Sequence, residues 1–156
     1  FVLVKQKYPR AELTIVGEGP DRKNVEMRLV DRQINGVRLL GELSDDARRD
    51  LYGSADVVVN PSSLDTFPRS ILCGFAAGLP VVTTDAGAIT EFVTDRENGL
   101  VIPVNDHVAM ADGIIDLIEN HDLVRSLTAK ARESIEKLTW TATGRSWRRF
   151  YRELFA

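Results

Sequence analysis

With a single cysteine, Cys73, the 156 residues cannot form an internal disulfide, and the composition fits a reducing compartment. Charge of one sign is lacking too. Twenty Lys+Arg stand against 23 Asp+Glu, for a formal net charge of −3. A general nucleic-acid binder would be strongly basic, so that class is set aside. Long apolar runs are missing: the longest, Ile71 to Val82, covers 12 residues and includes two glycines and a proline. Crossing a bilayer takes about 20 apolar residues, so no transmembrane helix is expected, and no secretory signal is expected in these residues. The one Asn-x-Ser candidate for glycosylation, Asn60-Pro61-Ser62, is disabled by its proline. The expected setting is cytoplasmic, with at most peripheral contact with a membrane. Low-complexity tracts and internal repeats are absent.

What is present is an alternation. Short β-branched runs read as strands over Glu12–Val16, Val37–Leu40, Asp56–Asn60, Pro80–Thr84 and Gly99–Ile102. Helical patterns separate them at Asp21–Arg32, Ser44–Gly53, Pro68–Ala77 and a short Thr90–Val93. Ser44, followed by Asp45 and Asp46, supplies a helix cap and acids at the positive end of the dipole. Strands buried on both faces and alternating with helices predict an α/β fold, a doubly wound parallel sheet of Rossmann-like type. Beyond Ile102 the strands stop. Three helices follow, His107–Asn120, Asp122–Lys137 and Trp140–Phe155, forming a helical C-terminal extension. In the last of them Trp147, Phe150, Tyr151 and Leu154 make one apolar stripe, with Arg145, Arg148, Arg149 and Arg152 off it. A basic amphipathic helix of this kind can touch a membrane surface. The expectation here is that it packs its stripe on its own domain and solvates its charges.

In an open parallel sheet, ligands bind outside the carboxyl ends of the strands. Three segments fall there. Gly17-Glu18-Gly19-Pro20 follows the first strand, where glycines either let amides approach a phosphate or turn the chain. A dinucleotide fingerprint would need a third glycine where Arg22 stands. Leu40-Gly41-Glu42-Leu43-Ser44-Asp45 links a strand to a capped helix; its backbone can frame a planar base or simply be a connection. The third segment runs from Asn60 to Thr84. A polar loop leads to Pro68, suited to a first helical turn. Freed amides near Arg69 and Ser70 would make an anion site at the helix N-terminus. Asp65, just before it, can accept hydrogen bonds from sugar hydroxyls. The small residues Gly74, Ala76, Ala77 and Gly78 would let the helix lie close on the sheet. Cys73 reads as a small residue buried against that sheet. His107 and His121 fall at helix starts, as surface or capping residues.

Taken in order, LTIVGEGP, VRLLGEL, ADVVVNPS, FPRSILCGFAAGLPVVTTDAGAITEFV, NGLVIPVND and the closing Trp-rich helix resemble the C-terminal, donor-binding domain of the group 1 (family 4) glycosyltransferases, enzymes of the GT-B fold. The resemblance covers residues 1–156, as one nucleotide-sugar-binding domain of a two-domain enzyme. It implies retaining transfer of a hexosyl unit from a nucleotide-sugar donor, such as a UDP- or GDP-sugar, to an acceptor. No metal and no further cofactor are implied. The family's motif of two glutamates separated by seven residues falls on Asp65 and Cys73. Asp65, the candidate catalytic residue, keeps the charge of the glutamate that faces the donor sugar. Cys73 replaces the glutamate that grips the ribose, and a thiol is a weak hydrogen-bonding group. Donor binding would further involve Thr66, Phe67, Pro68, Arg69 and Ser70 at the diphosphate and sugar. Backbone at Gly41, Glu42 and Leu43 would hold the base, and Gly17 and Gly19 would line the cleft. Phe1 to Pro9 matches the end of a helix that follows the family's first strand, so that strand and the N-terminal acceptor-binding domain are expected to be missing, and the chain alone to be inactive. Two other classes fit part of the pattern: a degenerate glycosyltransferase-like scaffold, which Cys73 favours, and a dinucleotide-dependent oxidoreductase using Glu42 at a ribose, which Arg22 disfavours.

Overall fold

A computed structural model describes residues 1–155. The chain divides into two compact units, Phe1–Ser54 and the residues from Ala55 onward.

Unit 1 contains α1 (Val2–Lys7), β1 (Leu13–Ile15), α2 (Arg22–Asp31), β2 (Val37–Leu39) and α3 (Asp45–Ser54). β1 and β2 pair in parallel, Leu13 opposite Val37 and Ile15 opposite Leu39. As the Ser-Asp-Asp signal predicts, the Ser44 hydroxyl caps α3 by accepting from the Ala47 N–H at 3.3 Å. The expectation that the strands are buried on both faces fails in this unit. β1 and β2 are half-buried or exposed at every position, because a two-stranded ribbon offers each strand only one neighbour.

Unit 2 contains β3 (Val58–Asn60), α4 (Arg69–Ala77), β4 (Val81–Thr84), a 3₁₀ turn (Ile89–Glu91), β5 (Leu100–Ile102), α5 (His107–Glu119), α6 (His121–Glu136) and α7 (Trp140–Leu154). Its sheet has the order β3-β4-β5, all parallel, with Asn60 opposite Thr83 and Thr84 opposite Ile102. β4, bonded on both sides, is buried at all four residues. This is the parallel α/β arrangement the alternating pattern predicts, with each strand a residue or two shorter than its apolar run. Val82, Leu100, Leu117 and Leu127 form a fully buried cluster that joins sheet, α5 and α6. α4 packs on β3, β4 and α6 through Ile71, Gly74 and Phe75, spaced at i, i+3 and i+4. Gly74 brings it close: a Cβ there would lie 2.9 Å from Val58 Cγ2. Ala76 and Ala77 take no part, being exposed, and Gly78 instead ends the helix in a left-handed cap at φ +76°.

His107 and His121 are surface residues at helix starts, as expected, the exposed first residues of α5 and α6, and the caps are Asp106 and Asn120, whose side chains accept backbone N–H groups. One expectation needs correcting. The apolar stripe of α7 does not pack on its own domain. No residue of α7 is buried, and Trp147, Phe150, Tyr151 and Leu154 are all at least half exposed. The helix is held by its own ladder and by the Thr139 cap, which accepts from Ala142 N–H. Among the described residues, no helix is long and apolar enough to cross a membrane.

Candidate functional site

The carboxyl ends of β3 and β4 carry a tied polar loop. Asn60 ends β3 and is only 6% exposed. Its Nδ2 donates to Ser70 Oγ at 3.0 Å and, at the limit of a hydrogen bond, to Asp65 Oδ2 at 3.4 Å. Its Oδ1 accepts from Ser62 N–H at 3.0 Å, turning the chain out of the strand. One asparagine therefore joins the strand end, the loop and the first turn of α4. Thr84, at the end of β4, donates its hydroxyl to Ser62 O.

Asp65 is the centre of this loop. Its Oδ1 accepts from Phe67 N–H at 3.0 Å, and its main-chain carbonyl accepts from Ala88 N–H at 2.8 Å. The carboxylate is half-buried and uses one lone pair on each oxygen in these bonds. An ionised carboxylate offers about four such sites, so it retains acceptor capacity toward solvent. Gly87 makes the fit possible. It sits at φ +56°, and a Cβ on it would overlap the Asp65 carbonyl oxygen.

The N-terminus of α4 differs from expectation in detail. Pro68 lies just outside the helix, at φ −76° and ψ 71°, and is buried. The Arg69 N–H, expected to be free for an anion, donates to Phe67 O at 2.8 Å within the turn. Thr66, Arg69 and Ser70 are exposed, and the Arg69 guanidinium has no ion-pair partner among the described residues. Phe67 is exposed and meets Phe92 edge-to-face at 5.5 Å. Cys73 is exposed rather than buried against the sheet. It stands two residues from Ile71, about 200° around the helix, which turns it away from the packed face.

Unit 1 holds the remaining candidates. Gly17 N–H donates to Gly41 O at 2.7 Å, closing the ends of β1 and β2 together. Both glycines have positive φ, +123° and +67°. Gly41 is buried, and a Cβ there would lie 2.5 Å from Glu18 Oε1. Gly19, in contrast, has open space around it; its carbonyl accepts from Arg22 N–H. Glu42 is exposed, and the Leu43 carbonyl is taken by Arg48 Nη2 at 2.9 Å.

Sequence reasoning missed three residues. Asn60 gave one signal, an amide side chain at a strand's carboxyl end before proline. Gly87 gave none, since its contact with Asp65 spans 22 positions. Arg22, read only as a break in the glycine fingerprint, pins the loop: it donates to Glu18, to Glu26 and to Leu39 O. Thr83 also stands out. Its Oγ1 is the one buried side-chain polar atom without a partner among the described residues.

Residues 1–120 match the family model described as glycosyl transferases group 1. A GDP-mannose-dependent alpha-mannosyltransferase of Mycobacterium tuberculosis is 32% identical over 136 residues, covering 86% of this chain and 32% of that protein. Among solved structures, a sucrose-phosphate synthase from Thermosynechococcus elongatus superposes with a TM-score of 0.84 at 26% identity, over 99% of this chain and 41% of that one. A mutant of S. aureus TarM, solved with fondaparinux, alpha-GlcNAc-glycerol and UDP, gives 0.79 at 26% identity, over 93% of this chain and 30% of that one. The chain spans about two fifths of the length of the curated relatives it matches.

Proposed function

The chain belongs to the group 1 glycosyltransferase family, and on that premise we propose that unit 2 binds the diphosphate and sugar of a nucleotide-sugar donor for retaining transfer of a hexosyl unit. The observation that carries the reading is the loop fixed by Asn60 and Gly87. It sets the Asp65 carboxylate a few residues ahead of the N-terminus of α4 and the unpaired Arg69 guanidinium. The two groups suit the two ends of such a ligand. A guanidinium recognises phosphate oxygens, often through two parallel bonds, and the positive end of the helix dipole favours the same charge. A carboxylate with spare lone pairs accepts from sugar hydroxyls. Catalysis in this reading is positioning of donor and acceptor and electrostatic support of the departing diphosphate.

The relative from M. tuberculosis is named for GDP-mannose and the TarM structure holds UDP, which supports a nucleoside-diphosphate hexose as the donor class. An acceptor-binding domain outside this chain would complete the enzyme. Calorimetric titration with UDP-, GDP- and ADP-hexoses tests the reading. One of the three should bind, and Arg69→Ala should weaken it roughly 10- to 100-fold, the loss of one or two charge-assisted bonds. Absence of binding by all three, or full affinity in Arg69→Ala, would refute it.

A further inference from the structure

Asn60 is a buried polar residue whose side-chain bonds all leave the sheet. It ends β3 with 6% of its surface exposed, and its register partner across the ladder is Thr83 of β4. The two side chains share a face, because two residues earlier on the same strands Val58 and Val81 both face Gly74 of α4. Neighbouring strands lie about 4.8 Å apart, which puts the amide beside the Thr83 hydroxyl. An asparagine serving only the sheet would bond that hydroxyl. Thr83 Oγ1 is instead without a partner among the described residues, and the amide of Asn60 is given to the loop and to α4. A buried hydroxyl left unpaired destabilises the fold, so another demand has set the direction of the amide.

That demand lies at Asp65. The bond to its carboxylate from Phe67 N–H comes from two residues away and travels with the loop. The bond from Asn60 Nδ2 to Oδ2, at 3.4 Å, is the one that ties the carboxylate to the end of a strand. Nδ2 also donates to Ser70 Oγ at 3.0 Å, in the first turn of α4 and next to Arg69. An amide carries both protons on one nitrogen in a fixed plane, so the two acceptors keep a set separation. Being neutral, it leaves the charge of Asp65 for a ligand. We propose that Asn60 is a positioning residue that sets the separation between the Asp65 carboxylate and the first turn of α4, so that a hexose and its diphosphate are held in register, an inference that rests on the donor reading above.

The test compares the affinity of the full chain for a nucleotide-hexose with that for its sugar-free diphosphate. The pairs are UDP-glucose with UDP, GDP-mannose with GDP and ADP-glucose with ADP, titrated by calorimetry. Asn60→Thr keeps an oxygen that can accept from Ser62 N–H, buries no charge and has one hydroxyl proton where the amide has two. It should weaken the nucleotide-hexose roughly tenfold, the worth of one hydrogen bond to a charged group, and the diphosphate by less than about threefold. In an Asp65→Ala background the same change should leave the ratio of the two affinities where it is, since no carboxylate remains to be placed. Asn60→Asp adds a readout that a purely structural role would not move. It sets two carboxylates side by side, and the proton they share as pH falls replaces the lost N–H. Its nucleotide-hexose affinity, relative to the parent, should therefore recover between about pH 8 and about pH 5. Asp65 on the loop is the titratable group bonded there, while Ser70 on α4 and Thr83 on β4 carry no charge. An unchanged ratio in Asn60→Thr, equal loss of both ligands, a further loss in the Asp65→Ala background or no recovery at low pH would overturn the proposal and leave the donor reading standing. Loss of the folded far-ultraviolet dichroism in Asn60→Thr would also overturn it, by making Asn60 a residue of the fold. Failure of the parent chain to bind any of the three nucleotide-hexoses would remove both.

Discussion

Replacing Gly87 by alanine tests the link between backbone geometry and the placement of Asp65. At φ +56° a residue with a Cβ pays about 1–2 kcal/mol relative to glycine. The new methyl would also overlap the Asp65 carbonyl oxygen and sit 3.1 Å from Asp65 N and C, so one segment must move. Movement loosens the Ala88 N–H bond to Asp65 O, a neutral hydrogen bond worth about 1 kcal/mol. The alanine chain is less disordered when unfolded, which offsets roughly 0.4–1 kcal/mol. The net expectation is a loss of about 2 kcal/mol, or roughly 5–10 °C in the midpoint of thermal unfolding. Urea denaturation followed by circular dichroism measures it. Gly53→Ala is the control of opposite sign: it lies in α3 with nothing within 4 Å of its Cβ position, and should gain about 0.5–1 kcal/mol. If Gly87→Ala unfolds within about 0.5 kcal/mol of the parent, the usual range for surface substitutions, the contact does not hold the loop and the reasoning fails.

Other substitutions probe separate terms. Thr83→Val removes the unpartnered hydroxyl without changing shape, so stability should stay level or rise by about 1 kcal/mol; a loss of more than that in urea would mean the hydroxyl has a partner. Gly74→Ala pushes a methyl against Val58 and Val81, and should cost about 1–3 kcal/mol with the same assay, whereas a neutral result would show that α4 can lift from the sheet freely. Arg22→Lys keeps the charge but cannot reach Glu18, Glu26 and Leu39 O together, and because these bonds are a third to a half exposed the loss should be only about 0.5–1 kcal/mol. A larger loss would place more of unit 1's stability in that clamp.

What the sequence made legible follows the range of the interactions involved. Periodicity and capping are local, so the five strands, their parallel pairing and the helices between them could be read from runs such as PVVTT and from Ser44, whereas Gly78, which reads as a close-packing residue, is the helix stop. The strand ends could not be read, because a residue such as Val57 leaves the ladder only where its neighbour strand begins. The candidate site divides the same way. Asp65 and Arg69 are legible as candidates from their places, one just ahead of a helix and one at its first residue. The partners of Asp65 were not: Asn60 reaches it across a loop, and Gly87 arrives from beyond β4. Orientation was the other blind spot. Cys73 looked like a core residue by type, yet the packed face of α4 was already fixed by Ile71 and Phe75, two residues out of phase with it. The stripe of α7 was legible as a stripe, but whether anything covers it is a tertiary fact.

The unequal burial of the two sheets sets an order of opening. Amides of β4 are bonded to strands on both sides and sealed from water along the whole strand, so they exchange hydrogen only when unit 2 unfolds as a whole. Amides of β1 and β2 have one neighbour each and stand half in solvent, with Val4 the only fully buried hydrophobic side chain in unit 1. They exchange through small local openings at much lower cost. The two sheets therefore carry a slow and a fast clock, and a protease acting on the strands of the folded protein would reach β1 and β2 before β4.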